Sequence, residues 1–130
     1  MNTTEFIDNK KMDYSERDKC HDGVGIYRIK DLISGMEKNN RQYIKFIHDD
    51  ILLPGTTFGN HMHKSEVPVE EWYYCISGRG LMHIDGVEHD FLPGDICVCR
   101  SNGVHGLINN TNEDLRIIVI YASPIEVRSE

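Results

Sequence analysis

The chain has 130 residues, the size of one ordinary domain, and at that length it can fold without a stabilising disulfide or metal. Its formal net charge is −7, from 14 basic and 21 acidic side chains. This acidic balance argues against nonspecific binding to nucleic acid and against attachment to anionic membranes, because both need a basic surface. The sequence shows neither the long apolar run of a membrane span nor that of a secretory leader. We therefore expect a soluble cytoplasmic protein with reduced thiols.

Residues 1–22 are polar, of mixed charge and without a clear period, and we expect them to form a loosely ordered arm. A single β-sandwich or β-barrel over 23–125 is predicted next, because short β-favouring segments recur about every ten residues between turn signals. One turn signal comes from Gly35 and the pair Asn39-Asn40. The predicted strand segments are 25–29, 41–55, 58–63, 71–77, 81–85, 89–92, 96–99, 105–109 and 115–122.

Two histidines, His61 and His63, stand two apart within one of these segments. Side chains two apart on a strand point to the same face, so the pair is a candidate pair of neighbouring ligands for one metal ion. Two adjacent glutamates, Glu70 and Glu71, follow in the next segment, and only one of them can face the histidines if the chain there is extended. Strand periodicity alone leaves the choice between the two glutamates open.

The sequence resembles the cupin family in two motifs. In the first, Gly55 is followed by five residues and then by His61 and His63. In that motif the ligand glutamate is separated by six residues from a glycine, and counting back from Gly78 selects Glu71.

The second motif begins at Gly94 and has His105 at its histidine position and Asn109 at its closing asparagine. Two features depart from the family. Seven residues separate the first-motif histidines from the glutamate, where three or four are usual, so we expect a widened loop around Pro68. Asn102 stands where a glycine is usual, and asparagine tolerates left-handed backbone angles, so the turn is expected to survive.

The resemblance covers roughly residues 44–121 and implies an all-β fold, a double-stranded β-helix or jelly-roll barrel. It implies a metal site inside the barrel, formed by His61, His63, Glu71 and His105. Three imidazoles and one carboxylate suit a divalent transition metal such as Mn, Fe, Ni or Zn, with positions left for water or substrate. The absence of a thiolate argues against a closed structural zinc site. The residues expected to line the substrate pocket are Tyr73, Arg100 and Asn109.

Other histidines and the cysteines fit plainer interpretations. The cysteines are expected to be small buried side chains, since no spacing typical of a thiolate metal site accompanies them. His48 is evenly balanced between pocket wall and surface. The histidines interpreted as tail, solvent-facing strand and turn residues are His21, His83 and His89.

Trp72 and Tyr74 would point away from Glu71 on an extended strand. Two exposed aromatic side chains on one strand face are unusual for a monomer, so this pattern predicts a homodimer formed through a sheet face.

Two classes of function remain open, and both have a small molecule as the partner rather than nucleic acid or a membrane. The first is a metal-dependent enzyme acting on a small polar molecule by dioxygenation, decarboxylation or isomerisation. The alternative is a non-catalytic module or sensor that binds a metal and a sugar or carboxylate. A third, plainer hypothesis is an intact site that stays empty in the cell.

Overall fold

In the part of the chain that the structure describes, ten β-strands form two antiparallel sheets, so the predicted all-β class is confirmed. The computed structural model describes residues 4–34 and 42–125. Within those residues the only helices are two short 3-10 helices, and none is long and apolar enough to cross a membrane. The 3-10 helices are Asn9–Lys11 and Cys20–Asp22. The strands are β1 (Ser15–Asp18), β2 (Ile26–Ser34), β3 (Ile44–Leu52), β4 (Thr57–Met62), β5 (Glu70–Ser77), β6 (Gly80–Ile84), β7 (Val87–Phe91), β8 (Ile96–Arg100), β9 (Val104–Ile108) and β10 (Leu115–Ala122).

The larger sheet has six strands in the order β1-β2-β3-β10-β5-β8, and the smaller has four in the order β4-β9-β6-β7. Alternation along β5 shows why the sheets face each other: Glu71, Tyr73 and Cys75 are buried, while Glu70 and Tyr74 are exposed. The apolar residues between the sheets include Tyr27, Ile29, Leu52, Phe58, Met82, Leu107, Leu115, Ile117 and Val119.

Part of the predicted loose arm is folded onto the sheets. Ser15–Asp18 pairs residue by residue with β2, and the 3-10 helix Cys20–Asp22 follows it directly. These residues are ordered because their backbone groups take part in the sheet and in turn hydrogen bonds. The boundary between arm and barrel at residue 22 stays a prediction. Residues 1–3 of the arm, and the turn expected at Gly35 and Asn39-Asn40, lie outside the described residues.

The loop between β4 and β5 spans residues 63–69, where the sequence predicts a widened loop, and it is fastened to the turn that follows β8. The Ser101 hydroxyl accepts a hydrogen bond from the Val69 amide (2.8 Å) and donates one to the Val67 carbonyl (3.2 Å). Asn102 has a φ of 69°, which confirms the expected left-handed turn, and its amide donates to the His63 carbonyl at 3.0 Å. The loop is therefore held at both ends rather than left free.

Asn109 has a place different from the pocket position expected for it. It is fully buried, and its amide nitrogen donates to the carbonyls of Leu52 (2.9 Å) and Glu113 (2.8 Å). Its amide oxygen accepts from the Thr111 amide (3.1 Å) and hydroxyl (2.8 Å). All of its hydrogen-bonding capacity is used within the chain, so none is left for a substrate, and we assign Asn109 to the turn before β10.

Replacing Asn109 tests this structural assignment. We expect Asn109→Ala to lower the free energy of unfolding by about 2–3 kcal/mol, because buried carbonyl groups would lose their donors. Urea denaturation measures the change. Asn110→Ala is the matched control at an exposed neighbour and should change stability by less than about 0.5 kcal/mol. Equal effects of the two substitutions would contradict the assignment.

Candidate metal centre

Three imidazoles and one carboxylate converge between the two sheets. His61 on β4 and His105 on β9 are direct cross-strand partners, and His63 follows the end of β4 by one residue. Glu71 on β5 reaches them from the opposite sheet. One ligand atom from each of the four lies within 4.8 Å of the others. The structure thus brings together the four side chains that the sequence proposed as ligands.

One carboxylate oxygen is the centre of the hydrogen bonding. Oε1 of Glu71 accepts from the Tyr73 hydroxyl (2.7 Å) and lies 3.0 Å from Nε2 of His105 and 3.3 Å from Nε2 of His63. Burial alone would raise the pKa of Glu71, but hydrogen bonds from His105, His63 and Tyr73 outweigh it and hold the pKa far below its ordinary value. The hydrogen bond to Glu71 conversely raises the pKa of His63.

His61 offers a free nitrogen to the same space. Its Nδ1 lies 2.9 Å from the Gly59 carbonyl, and because a carbonyl only accepts, Nδ1 carries the proton. Nε2 is then the unprotonated nitrogen, and it is buried without a hydrogen-bond partner. Burial, with further contributions from His105 and His21, lowers the pKa of His61 to about 4. The ring is therefore neutral at physiological pH, the form in which imidazole binds metals.

These residues fit a divalent transition metal. Nδ1 of His105 is a second buried nitrogen without a partner, so the cluster as it stands leaves polar atoms unsatisfied. Oε1 of Glu71 shares a proton with Nε2 of His63 or His105. A metal cation would bind to the lone pairs of these same oxygen and nitrogen atoms. Neutral imidazoles and a carboxylate are ligands suited to Mn, Fe, Ni and Zn alike, so the donor set fits the class of metal without selecting one.

Comparison with known proteins decides the family. The family model described as cupin domain matches residues 50–121, which include all four candidate ligands. The chain belongs to the cupin family. The predicted resemblance is thereby confirmed.

One curated protein is similar in sequence to this chain. The oxalate-binding protein of Thermotoga maritima is 32% identical over 69 residues, which are 53% of this chain and 54% of that protein. The match thus spans about half the length of this curated relative.

Two solved structures confirm the jelly-roll cupin fold. A predicted oxalate decarboxylase from Thermotoga maritima is similar with a TM-score of 0.80 at 23% identity, covering 92% of this chain and 99% of that one. KdgF from Halomonas sp. has a TM-score of 0.72 at 17% identity, covering 95% and 96%.

In this cupin the two other predicted pocket residues differ from each other in position: Tyr73 is buried beside the ligand cluster, and Arg100 is exposed. Tyr73 lies in the site, where its fully buried hydroxyl orients Glu71; burial and that carboxylate raise the pKa of Tyr73 well above its ordinary value. Arg100 is exposed at the end of β8, on the strand face opposite to the buried Cys99. A depression of about 310 Å³ lies between Arg100 and the loop preceding β5.

His48, which is half-buried, and His21, which is exposed, both stack on other aromatic rings. His48 stacks on Phe46 at 4.2 Å between ring centroids, and its Nε2 lies 2.8 Å from the Asp31 carboxylate. His21 is exposed, but it is not the free tail residue expected from the sequence, because its ring stacks on the candidate ligand His61. No periodicity marks His21, since it lies in a short 3-10 helix with non-helical backbone angles. The glycines at positions 23 and 59 are the sequence signs of a close backbone approach there.

The remaining histidines and the cysteines follow their plainer interpretations. His83 lies 3.2 Å from the Glu88 carboxylate, and His89 is exposed. The Sγ atoms of Cys97 and Cys99 lie 3.7 Å apart, at hydrogen-bonding distance, and form no disulfide. Cys75, Cys97 and Cys99 are buried, as expected for small core side chains, and all four cysteines of the chain are free thiols.

Asp50 is a buried carboxyl group that the sequence did not single out. Its side chain is 3% exposed, it shares the inward face of β3 with Leu52, and its Oδ1 has no hydrogen-bond partner. Burial is the largest cause that raises the pKa of Asp50, to about 8, and the neighbouring charges of Asp49 and Asp31 add to it. Between pH 4 and 8 the folded protein therefore keeps a proton that the unfolded chain has lost.

This proton makes stability depend on pH. Because the folded state binds more protons than the unfolded state between about pH 4 and 8, the contribution of Asp50 to stability falls as pH rises through that window. We expect Asp50→Asn to raise the thermal midpoint at pH 8 by roughly 5 °C and to change it little at pH 4. Differential scanning calorimetry across this range checks it. Asp90→Asn, at an exposed carboxylate, is the control, and identical pH profiles for both variants would contradict the expectation.

Proposed function

We propose that this cupin binds a divalent transition metal through His61, His63, Glu71 and His105, and that the metal centre takes up a small carboxylate of the oxalate class. The observation that carries the proposal is the convergence of four ligand atoms within 4.8 Å, with buried imidazole nitrogens left unpaired. The carboxylate class is supported by the oxalate-binding relative. We also propose that this protein is located in the cytoplasm.

Charge supports an anionic ligand at this centre. Each imidazole ligand is neutral when it donates a lone pair, so Glu71 is the one negative ligand and a divalent ion would leave the site with a net positive charge. Inside a protein an attraction of this kind is much stronger than in water. An anion would therefore bind at the metal despite the net charge of −7 on the chain.

The chain's own residues have separate roles in this arrangement. A bound metal would supply Lewis-acid polarisation of a coordinated carboxylate oxygen. Tyr73 holds the Glu71 carboxylate in place, and the Gly59 carbonyl fixes which nitrogen of His61 is free. Arg100 and the depression beside it lie outside the ligand cluster, on the exposed face of the sheet, so the pocket role expected for Arg100 stays a prediction.

Two outcomes for the bound carboxylate follow from the relatives. The oxalate-binding relative supports reversible binding, and the similar structure of a predicted oxalate decarboxylase supports loss of carbon dioxide, with decarboxylation ahead of dioxygenation and isomerisation. Oxalate added to the Mn²⁺-loaded protein separates them. Release of formate and carbon dioxide favours the enzyme, whereas saturable heat of binding without product favours the binding module.

The two neighbouring glutamates provide a matched test of the metal site. We expect Glu71→Gln to weaken Mn²⁺ binding by about 100-fold or more, because it removes the only negative ligand, while Glu70→Gln leaves binding unchanged. Glu70 is exposed and accepts a hydrogen bond from the Trp72 indole at 3.0 Å. Isothermal titration calorimetry of metal-free protein measures both. Equal affinities for the two variants, or no binding by the unaltered protein, would refute the proposal.

We further propose that the cupin is a homodimer formed through the outer face of the six-stranded sheet. Tyr74 and Ile96 are cross-strand partners there, 43% and 59% exposed. Tyr74→Glu should shift sedimentation at micromolar concentration from a dimer towards a monomer, and His89→Glu, on the smaller sheet, should not. A monomeric mass of the unaltered protein would show the proposal to be wrong.

A further inference from the structure

The metal ligand His61 is enclosed between two other rings. His21 lies on one face of it, with ring centroids 3.5 Å apart and ring planes 12° from parallel. His105 approaches His61 at 4.1 Å with the rings inclined at 61°. The hydrogen bond from Nδ1 to the Gly59 carbonyl fixes the remaining rotation. His61 is thereby held by one contact that belongs to neither cupin motif, the contact with His21.

The backbone around His21 has an uncommon conformation that places its ring on His61. Lys19, His21 and Asp22 all have left-handed backbone angles, with φ of 50°, 50° and 61°, which side-chain-bearing residues adopt only at a cost. Hydrogen bonds on the C-terminal side offset that cost. Val24 donates to the Thr57 hydroxyl (2.9 Å), and the Thr57 amide donates to the Val24 carbonyl (2.8 Å).

Two glycines allow the segment to lie directly on β4. A Cβ atom at Gly59 would collide with the His21 carbonyl, and one at Gly23 would collide with the Thr57 carbonyl. The backbones are in contact with no side chain between them. The position of the His21 ring is therefore set by the backbone of the strand that carries His61.

Ring geometry excludes His21 as a further ligand of the same ion. The lone pair of an imidazole lies in the plane of its ring, so two nearly parallel rings 3.5 Å apart cannot both direct a lone pair at one point. His21 is also outside the group of four whose ligand atoms lie within 4.8 Å of one another. Its contact with the site is made through the face of His61.

We propose that His21 is a positioning residue for the metal ligand His61, so that the metal centre is built jointly by the barrel and by the segment preceding it. The stacked ring opposes tilting of His61 and covers the face that would otherwise meet water. This inference rests on the proposed metal function, because it assigns a role to His21 through one of the ligands. It deepens that function by making the N-terminal segment part of the site.

Substitutions at His21 test the positioning role with Mn²⁺ as the probe. His21→Ala should weaken Mn²⁺ binding about three- to tenfold, the range expected for loss of a stacked ring pair. His21→Phe keeps a flat ring and should restore affinity to within about twofold of the unaltered protein. His89→Ala removes an exposed histidine far along the chain and is the control, with unchanged affinity expected. Isothermal titration calorimetry on the full chain gives all four values.

A spectroscopic measurement separates positioning from a general loss of stability. The electron paramagnetic resonance spectrum of bound Mn²⁺ should change in His21→Ala and return in His21→Phe, whereas a merely structural role would leave the spectrum of the bound ion unaltered. Unaltered affinity and spectrum in His21→Ala, while the unaltered protein binds Mn²⁺, would overturn the inference about His21 alone. Failure of the unaltered protein to bind Mn²⁺ would overturn the proposed function and the positioning role with it.

Discussion

The buried carboxylate of Glu71 determines how the two sheets of this protein meet. A negative charge between apolar layers is costly unless donors surround it, and here the donors come from both sides of the barrel. Tyr73 lies on the same strand, His105 belongs to the opposite sheet, and His63 directly follows strand β4 of that sheet. Apolar packing brings the sheets together without fixing their relative position. The carboxylate fixes that position, because a shift of either sheet would leave its charge unsatisfied.

Hydrogen bonds also connect the ligand cluster with the turn after β8 and with the loop before β5. His63 stands at the end of β4, and its carbonyl accepts a hydrogen bond from Asn102 in the turn before the strand of His105. Ser101 in that turn also holds the widened loop before β5. Loop, turn and ligands therefore form one connected unit. A change in loop length or sequence would therefore be transmitted to the candidate ligands through these hydrogen bonds.

Sequence patterns predicted those residues of the candidate site whose positions follow from strand alternation or from motif spacing. Strand alternation showed that only one of Glu70 and Glu71 can face the histidines, because a strand has only two faces, and the spacing of the cupin motif then selected Glu71. The same spacing misplaced Asn109, since a motif position does not reveal whether an amide faces a ligand or closes a turn. Asp50 escaped notice because adjacent aspartates look like a solvated pair, and only the sheet register shows that one of them faces the core. His21 depends on backbone angles that no periodicity expresses.

The collision that a side chain at Gly59 would cause restricts which residues can occupy this position. Gly59 stands two residues before the ligand His61, yet what restricts it is the His21 carbonyl and not the metal. Gly23 is restricted in the same way from the other side of the contact. The two glycines and the path of the chain before β2 therefore depend on each other sterically. A cupin that carries a side chain at the position of Gly59 must route its preceding segment elsewhere, and would need another wall for that histidine.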